Sequence, residues 1–227
     1  MNGSLLERLH ALVTPDLVSS AARKLDEPED LVAAGLRAAF PALLAGLGSK
    51  AQSLRSLRAL HELITASGSA AEVLKHPRLA VAATPDSPLG SAGGRLLAGL
   101  FGPHLPTVAD LVARSAGLRP ESGGALLELA APLVLGVLVH HARTERLGPA
   151  GLAALLLGEH DRIAQALPPG LADAADSPPP PAARWLPPAI ALGTLLLVLW
   201  SLSREERPAA VDQTVGTINA ILAGDDH

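Results

Sequence analysis

Residues 108–142 read VADLVARSAGLRPESGGALLELAAPLVLGVLVHHA, and residues 17–51 read LVSSAARKLDEPEDLVAAGLRAAFPALLAGLGSKA. A shift of 91 residues aligns the two stretches without gaps, and it pairs Arg23 with Arg114 and Pro41 with Pro132. Each stretch reads as a helix, a short turn with an acid and a proline, and a long apolar helix that contains a proline. The sequence therefore predicts two similar helical halves.

The composition of the whole chain favours the same fold class. Its 227 residues include 45 Leu and 42 Ala, which are strong helix formers, and only 2% aromatic residues. This excludes most all-β and doubly wound α/β architectures. The 21 Gly and 20 Pro indicate that the helices are short and often interrupted. We predict an all-α bundle of short helices.

Charge and cysteine content exclude several classes of function. The chain has no cysteine, which rules out disulfides, thiolate metal sites and a cysteine nucleophile. Its net charge of −4 argues against a general nucleic-acid binder, since such proteins usually carry a basic face.

Cap signals and apolar spacing predict the individual helices. Thr14, Pro15 and Asp16 are typical of a helix start, and this helix should run to about Leu25. The next helix follows an acidic turn and should be kinked by Pro41. We place further helices over residues 50–66, 105–116, 121–146 and 149–157, one or two more turns over 159–167, and a Pro/Gly/Ser loop over 80–95. In the helix over 50–66, the apolar face should consist of Leu54, Leu57, Leu60 and Ile64.

The segment from Trp185 to Leu202, WLPPAIALGTLLLVLWSL, is the only one that we interpret as membrane-spanning. Its 18 residues carry no charge and reach about 27 Å as a helix, close to the hydrocarbon thickness of about 30 Å. A mean hydropathy of +0.32 for the whole chain agrees with a membrane segment. We expect a helical domain over 1–167, a Pro-rich linker over 168–184, one transmembrane helix over 185–203 and a tail over 204–227.

The orientation follows from the first residues of the chain. Glu7, Arg8 and His10 interrupt the apolar run there, so it does not resemble a secretory signal. We therefore expect the helical domain in the cytoplasm and the tail outside, against a weak charge bias around the segment that favours the reverse. Val211, Val215, Ile218, Ile221 and Leu222 share one predicted helix face of the tail, which would lie on the membrane, pack on a partner or be a remnant of a longer protein.

Histidines and acids suggest one metal site, but their spacing argues against it. His140 and His141 would join Glu159, His160 and Asp161, but adjacent helical residues point about 100° apart and no established ligand spacing appears. The pair His61-Glu62 lacks a second histidine. No nucleophile elbow is present either. We expect no catalytic residues, no metal, no cofactor and no enzymatic activity.

Glycine pairs and basic residues have simple structural interpretations. Gly93-Gly94 and Gly123-Gly124 lack the neighbouring strand of a phosphate loop, so they favour close approach of helices. The basic residues lack interleaved aromatic residues, and we interpret them as a solvated helix face. Such a face would also be attracted to acidic lipid head groups. These basic residues are Lys50, Arg55, Arg58, Lys75 and Arg78.

Four segments together resemble a known bacterial family. They are FPALLAGLGSKA (40–51), GGRLLAGLFG (93–102), LVARSAGLRPESGGALLELAAPLVLGVL (111–138) and GLAALLLGE (151–159). The chain is similar over roughly residues 4–160 to the domain-of-unknown-function 937 family, which includes YidB-like proteins. The resemblance implies no catalytic residues, because the family has no established activity. Longer relatives continue through one transmembrane helix into a periplasmic peptidoglycan-binding domain, and the short tail here does not allow that role to be carried over.

The functional hypothesis combines these features. We expect a membrane-tethered cytoplasmic helical module at the bacterial inner membrane, anchored in the lipid bilayer through Trp185 to Leu202. It would act as an interaction or scaffold module through a protein partner or self-association. The alternative is a membrane-held DNA-binding or regulatory module, since some smaller relatives are homeodomain-like in shape, although nucleic acid is the less expected partner.

Overall fold

Helices alone make up the regular structure of residues 4–167, the part of the chain that a computed structural model describes. The predicted linker, transmembrane helix and tail (168–227) lie outside the described residues. The helices are α1 (Leu5–Ala11), α2 (Pro15–Leu25), α3 (Glu29–Ala51), α4 (Leu54–Ala66), α5 (Arg78–Ala82), α6 (Pro88–Phe101), α7 (Leu105–Ala116), α8 (Pro120–Thr144), α9 (Pro149–Gly158) and α10 (His160–Ala166). Two 3₁₀ segments, Gly68–Leu74 and Gly102–His104, connect some of them.

The internal repeat is visible in the backbone. The pair α2–α3 and the pair α7–α8 occupy matching positions when the first is shifted by 91 residues. The starts of α2 and α7 then differ by one residue, whereas the ends of α2 and α7 and the starts of α3 and α8 coincide. Each first helix ends on a left-handed residue, Asp26 (φ 52°) and Gly117 (φ 72°), at positions separated by the repeat length. Glycine adopts this conformation without steric cost, and aspartate tolerates it better than most residues. The predicted similarity of the halves is therefore confirmed for the local structure.

The packing of the two halves is less symmetric than their sequences. The long helices α3 and α8 pack against each other, and α7 packs on α3. The equivalent contact of α2 with α8 is small, because α2 packs on α5 and the segment Gly68–Leu74 covers α8. The contacts of α2 therefore differ from those of its counterpart α7.

The prediction of a loop over residues 80–95 is wrong. Only residues 83–87 separate α5 from α6, and α6 begins at Pro88. The Ser87 Oγ caps this helix by accepting from the N–H of Gly90 at 3.1 Å. The glycines of this segment are tolerated in a helix because α6 packs on α8, where Gly93 lies against the ring of Pro132.

The predicted helix over 50–66 is divided in the structure. Helix α3 continues to Ala51, and α4 begins at Leu54 after the cap residue Ser53. Three of the four predicted apolar positions are buried, whereas Leu54 is 75% exposed. Leu54 is the first helical residue, so its side chain lies beyond the part of α4 that packs on the core.

Several helices of the described part are apolar enough to raise the question of membrane insertion. By length and composition, the segments Glu29–Ala51, Pro88–Ala116 and Pro120–Thr144 are each sufficient to cross a membrane. Trp185 to Leu202 is therefore not the only membrane-length segment, as the sequence had suggested. The apolar run Leu129–Val139 is buried along its whole length in α8.

Replacing Pro132 with alanine should not stabilise the domain, although alanine is the better helix former by about 3 kcal/mol. A Cβ on Gly93 would lie 3.0 Å from the Pro132 Cδ, so the proline ring fills the contact between α6 and α8. Alanine would leave a cavity there, which offsets the gain in helix propensity. Thermal unfolding of the two proteins checks this, and a clear rise in Tm for Pro132→Ala would contradict it.

Candidate functional site

A groove lies between α4 and α6 on the surface of the bundle. Its volume is about 620 Å³, and it is open to solvent along one side. This volume lies in the range of small-molecule sites. It is lined by Lys50 at the end of α3, by Arg55, Ser56, Ala59, Leu60, Glu62, Leu63 and Ala66 of α4, and by Arg95, Leu96, Gly99 and Leu100 of α6.

Small residues on the facing helices keep the groove open. Ala59 and Ala66 of α4 and Gly99 of α6 are exposed and too short to fill the space between the helices. A Cβ added to Gly99 would meet no atom within 4 Å. Below them, Leu60, Leu96 and other buried leucines form an apolar floor that belongs to the main core. The result is an apolar trough on the surface of the bundle.

The polar residues of the groove are mostly cationic. Lys50, Arg55 and Arg95 line it, together with one acid, Glu62. Within residues 4–167, none of these four side chains makes a hydrogen bond or an ion pair. The groove therefore combines an apolar floor with positive charge that the domain itself does not neutralise.

The structure divides the basic residues that the sequence had grouped. Lys50 and Arg55 line the groove, whereas Arg58 is exposed on α4 outside it. Lys75 forms an ion pair with Glu72 at 3.3 Å, and Arg78 is exposed at the start of α5. Sequence reasoning missed Arg95, because this residue lies about 40 positions after Arg55 in the chain, on a segment predicted as a loop.

The histidines and acids weighed as a metal site are not brought together. The rings of His140 and His141 are 6.4 Å apart, with His141 buried and His140 exposed. Glu159 is buried and accepts from Arg162 at 3.1 Å, while His160 and Asp161 are exposed. Among the described residues, no three such side chains are close enough to hold a metal ion.

A cluster at the junction of the two halves was not predicted. The Glu27 carboxylate accepts from the Ser122 hydroxyl at 2.6 Å and from the Arg119 Nε at 2.9 Å. These hydrogen bonds, that from Ser122 first, hold the pKa of Glu27 below its ordinary value. Arg119 also donates to the carbonyls of Leu25 and Asp26, which end α2. All of these side chains bond within the fold, so the cluster joins the two inter-helix turns and has a structural role.

The glycine pairs do bring helices together. A Cβ on Gly123 would fall on the backbone carbonyl of Ala109 in α7, and a Cβ on Gly93 would touch Pro132. The second glycine of each pair, Gly94 and Gly124, faces open space. The interpretation as close-approach positions is confirmed for one glycine of each pair.

His10 should make the stability of the domain depend on pH near neutrality. Burial lowers the pKa of this imidazole below its ordinary value of 6.5, and its Nε2 is buried without a hydrogen-bond partner. Below pH 6.5 the unfolded chain then binds a proton that the folded chain resists, so stability falls as the pH falls, until the folded pKa is passed.

We expect Tm to drop by a few degrees between pH 7 and pH 5, and to drop less in His10→Gln. The difference between the two proteins isolates His10 from the other seven histidines. Equal drops in both proteins would show that His10 does not contribute.

Comparison with known proteins places most of the described part in one family. Residues 7–141 match the family model described as bacterial protein of unknown function (DUF937). No curated protein and no solved structure matches the chain. The match covers α2–α3, α7, most of α8 and both walls of the groove, so the groove lies within the matched residues.

Proposed function

Because this chain belongs to the bacterial DUF937 family, whose function is unknown, we propose from its own geometry that it is a membrane-tethered helical interaction module. The helical domain would lie on the cytoplasmic side of the inner membrane. Trp185 to Leu202 would anchor it in the bilayer, and the domain would present the groove between α4 and α6 to a partner.

The single observation that carries this proposal is the groove itself. It is an apolar trough of about 620 Å³ whose three basic side chains have no partner among residues 4–167. By contrast, the Glu27–Arg119–Ser122 cluster bonds within the fold. Exposed apolar surface rimmed by charge is typical of binding sites.

Site-specific photo-crosslinking in living cells tests the proposal. A benzoylphenylalanine at position 99 would project into the groove, and the same residue at position 94 is the matched control. Both positions are exposed glycines of α6 with open space around a Cβ, but Gly94 lies outside the groove. We expect irradiation to give a discrete adduct from position 99 and none from position 94. The absence of any adduct from position 99 would contradict an interaction site in the groove.

The membrane orientation gives a separate prediction. A reporter enzyme that is active only outside the cytoplasm should work when fused after His227 and remain inactive when fused before Met1. The expected result follows from a single crossing by residues 185–203, with the helical domain inside. Activity of the N-terminal fusion alone would reverse the proposed orientation, and a cytoplasm-specific reporter at both ends is the complementary control.

A further inference from the structure

The two ends of the groove differ in charge. A Cβ on Gly46 of α3 would lie 3.5 Å from the Leu100 Cβ, so Leu100 packs about one turn before Lys50. Lys50 and Arg55, on either side of the break between α3 and α4, therefore lie at the Leu100 end. At the other end, Arg95 and Ala66 also line a second, smaller cavity of about 120 Å³. Two cations, Lys50 and Arg55, mark the first end, whereas one cation, Arg95, and the single acid of the groove, Glu62, lie toward the other end.

The length of the groove matches one lipid chain. Its α4 wall runs from Arg55 to Ala66, which is about 16 Å at a rise of about 1.5 Å per residue. Half of the hydrocarbon thickness of a bilayer, the space of one acyl chain, is about 15 Å. The wall between these residues is largely apolar, with Ala59, Leu60 and Leu63 along it.

We propose that this groove binds one acyl chain of an anionic lipid, with the head group between Lys50 and Arg55. The inference rests on the proposed function, because it names the partner of the same groove. Glu62 lies two turns from Arg55, about 10 Å along α4, and its carboxylate would repel an anionic head group placed at that position. Arg95 and Glu62 offset each other toward the far end, whereas Lys50 and Arg55 leave two positive charges at the first end, so charge favours the first end for the head group.

The size of the groove favours a lipid over a protein helix. Twelve residues line it, whereas a standard protein interface uses about 20–30 residues on each side. A volume of about 620 Å³ suits a single chain with its head group. A protein partner is therefore treated as the competing outcome of the experiment.

Photoactivatable lipids test the proposal on the full chain. The protein is reconstituted in nanodiscs of phosphatidylcholine that contain a small fraction of diazirine-labelled phosphatidylglycerol, with the diazirine in the acyl chain. Mass spectrometry then maps the labelled peptides. We expect labelling of the peptides that contain Leu63 and Gly99, and about tenfold less labelling there when the diazirine lipid is phosphatidylcholine, the difference expected for one charge-assisted contact.

Two pairs of variants separate the groove from the rest of the surface. Arg55→Glu should reduce groove labelling about tenfold, whereas Arg58→Glu, on the same helix outside the groove, should leave it unchanged. Gly99→Leu fills the trough and should abolish labelling, whereas Gly94→Leu should not. Circular dichroism verifies that all four variants keep the helical content, since both glycine positions have room for a side chain.

The other outcomes of the experiment distinguish a phospholipid from a free fatty acid as the ligand. They also distinguish failure of lipid binding from failure of the interaction module. Stronger groove labelling by a diazirine fatty acid than by the phospholipid would keep the site and assign it to free fatty acids. Labelling confined to other parts of the chain, or unaffected by Arg55→Glu, would overturn lipid binding. If position 99 crosslinks a protein in cells while the groove takes no lipid, the interaction module stands and the lipid does not.

Discussion

Gly123→Ala should destabilise the domain by about 3 kcal/mol, although alanine is normally the better residue inside a helix. The added Cβ would fall on the backbone carbonyl of Ala109, and it would also lie 3.1 Å from the Ala113 Cβ. Backbone atoms of a packed helix cannot move aside alone, so α7 and α8 must separate. These two helices share one of the most extensive contacts in the described part of the chain.

The neighbouring glycine provides the control. Gly124 has open space around a Cβ, so Gly124→Ala should stabilise the domain by about 0.5–1 kcal/mol through helix propensity alone. Chemical denaturation of both variants measures the difference. Equal and favourable changes in both would show that α7 and α8 are not in backbone contact at Gly123.

Phe40→Ala should cost about 4 kcal/mol and lower Tm by roughly 10 °C. Phe40 is one of two phenylalanines in the chain and is fully buried in α3. Its ring centroid lies 6.1 Å from that of His10, so it also holds α1 against the core. Removing the ring leaves a cavity where α1 and α3 meet.

An exposed leucine is the matched control for this truncation. Leu54→Ala removes a side chain that is 75% exposed, and it should change stability by less than about 0.5 kcal/mol. Thermal unfolding of the two variants separates cavity formation from a general loss of apolar residues. A loss below about 1 kcal/mol for Phe40→Ala would mean that the core between α1 and α3 is loosely packed.

The candidate site was only partly accessible from the sequence. Lys50 and Arg55 were identified as basic residues, but Arg58 was grouped with them because all three are near in sequence. Arg55 and Arg58 both lie on α4, and only the way α4 is placed beside α6 decides that Arg55 lines the groove and Arg58 does not. Arg95 was missed because a stretch with three glycines was predicted as a loop. Its helix forms through the Ser87 cap and through packing of α6 on Pro132, and only the cap had a signal in the sequence.

The Glu27 cluster shows a signal that was present but not used. Glu27 aligns with Leu118 in the internal repeat, next to Arg119, so the two turns carry complementary charges at neighbouring positions. The sequence does not say that the turns meet. That meeting depends on how α3 and α8 pack, and it brings residues 92 positions apart into hydrogen-bond distance.

The sequence by itself determined the helical class, the two similar halves, and the short turn between the helices of each half. These features depend on local forces: backbone propensity, caps and the spacing of apolar residues act within a few turns. Only the tertiary structure decided which helices of the two halves contact each other and where Gly123 touches α7. The cationic groove between α4 and α6 likewise follows only from the tertiary structure. Those features depend on side-chain volumes and distances between residues far apart in the chain, which no local pattern records.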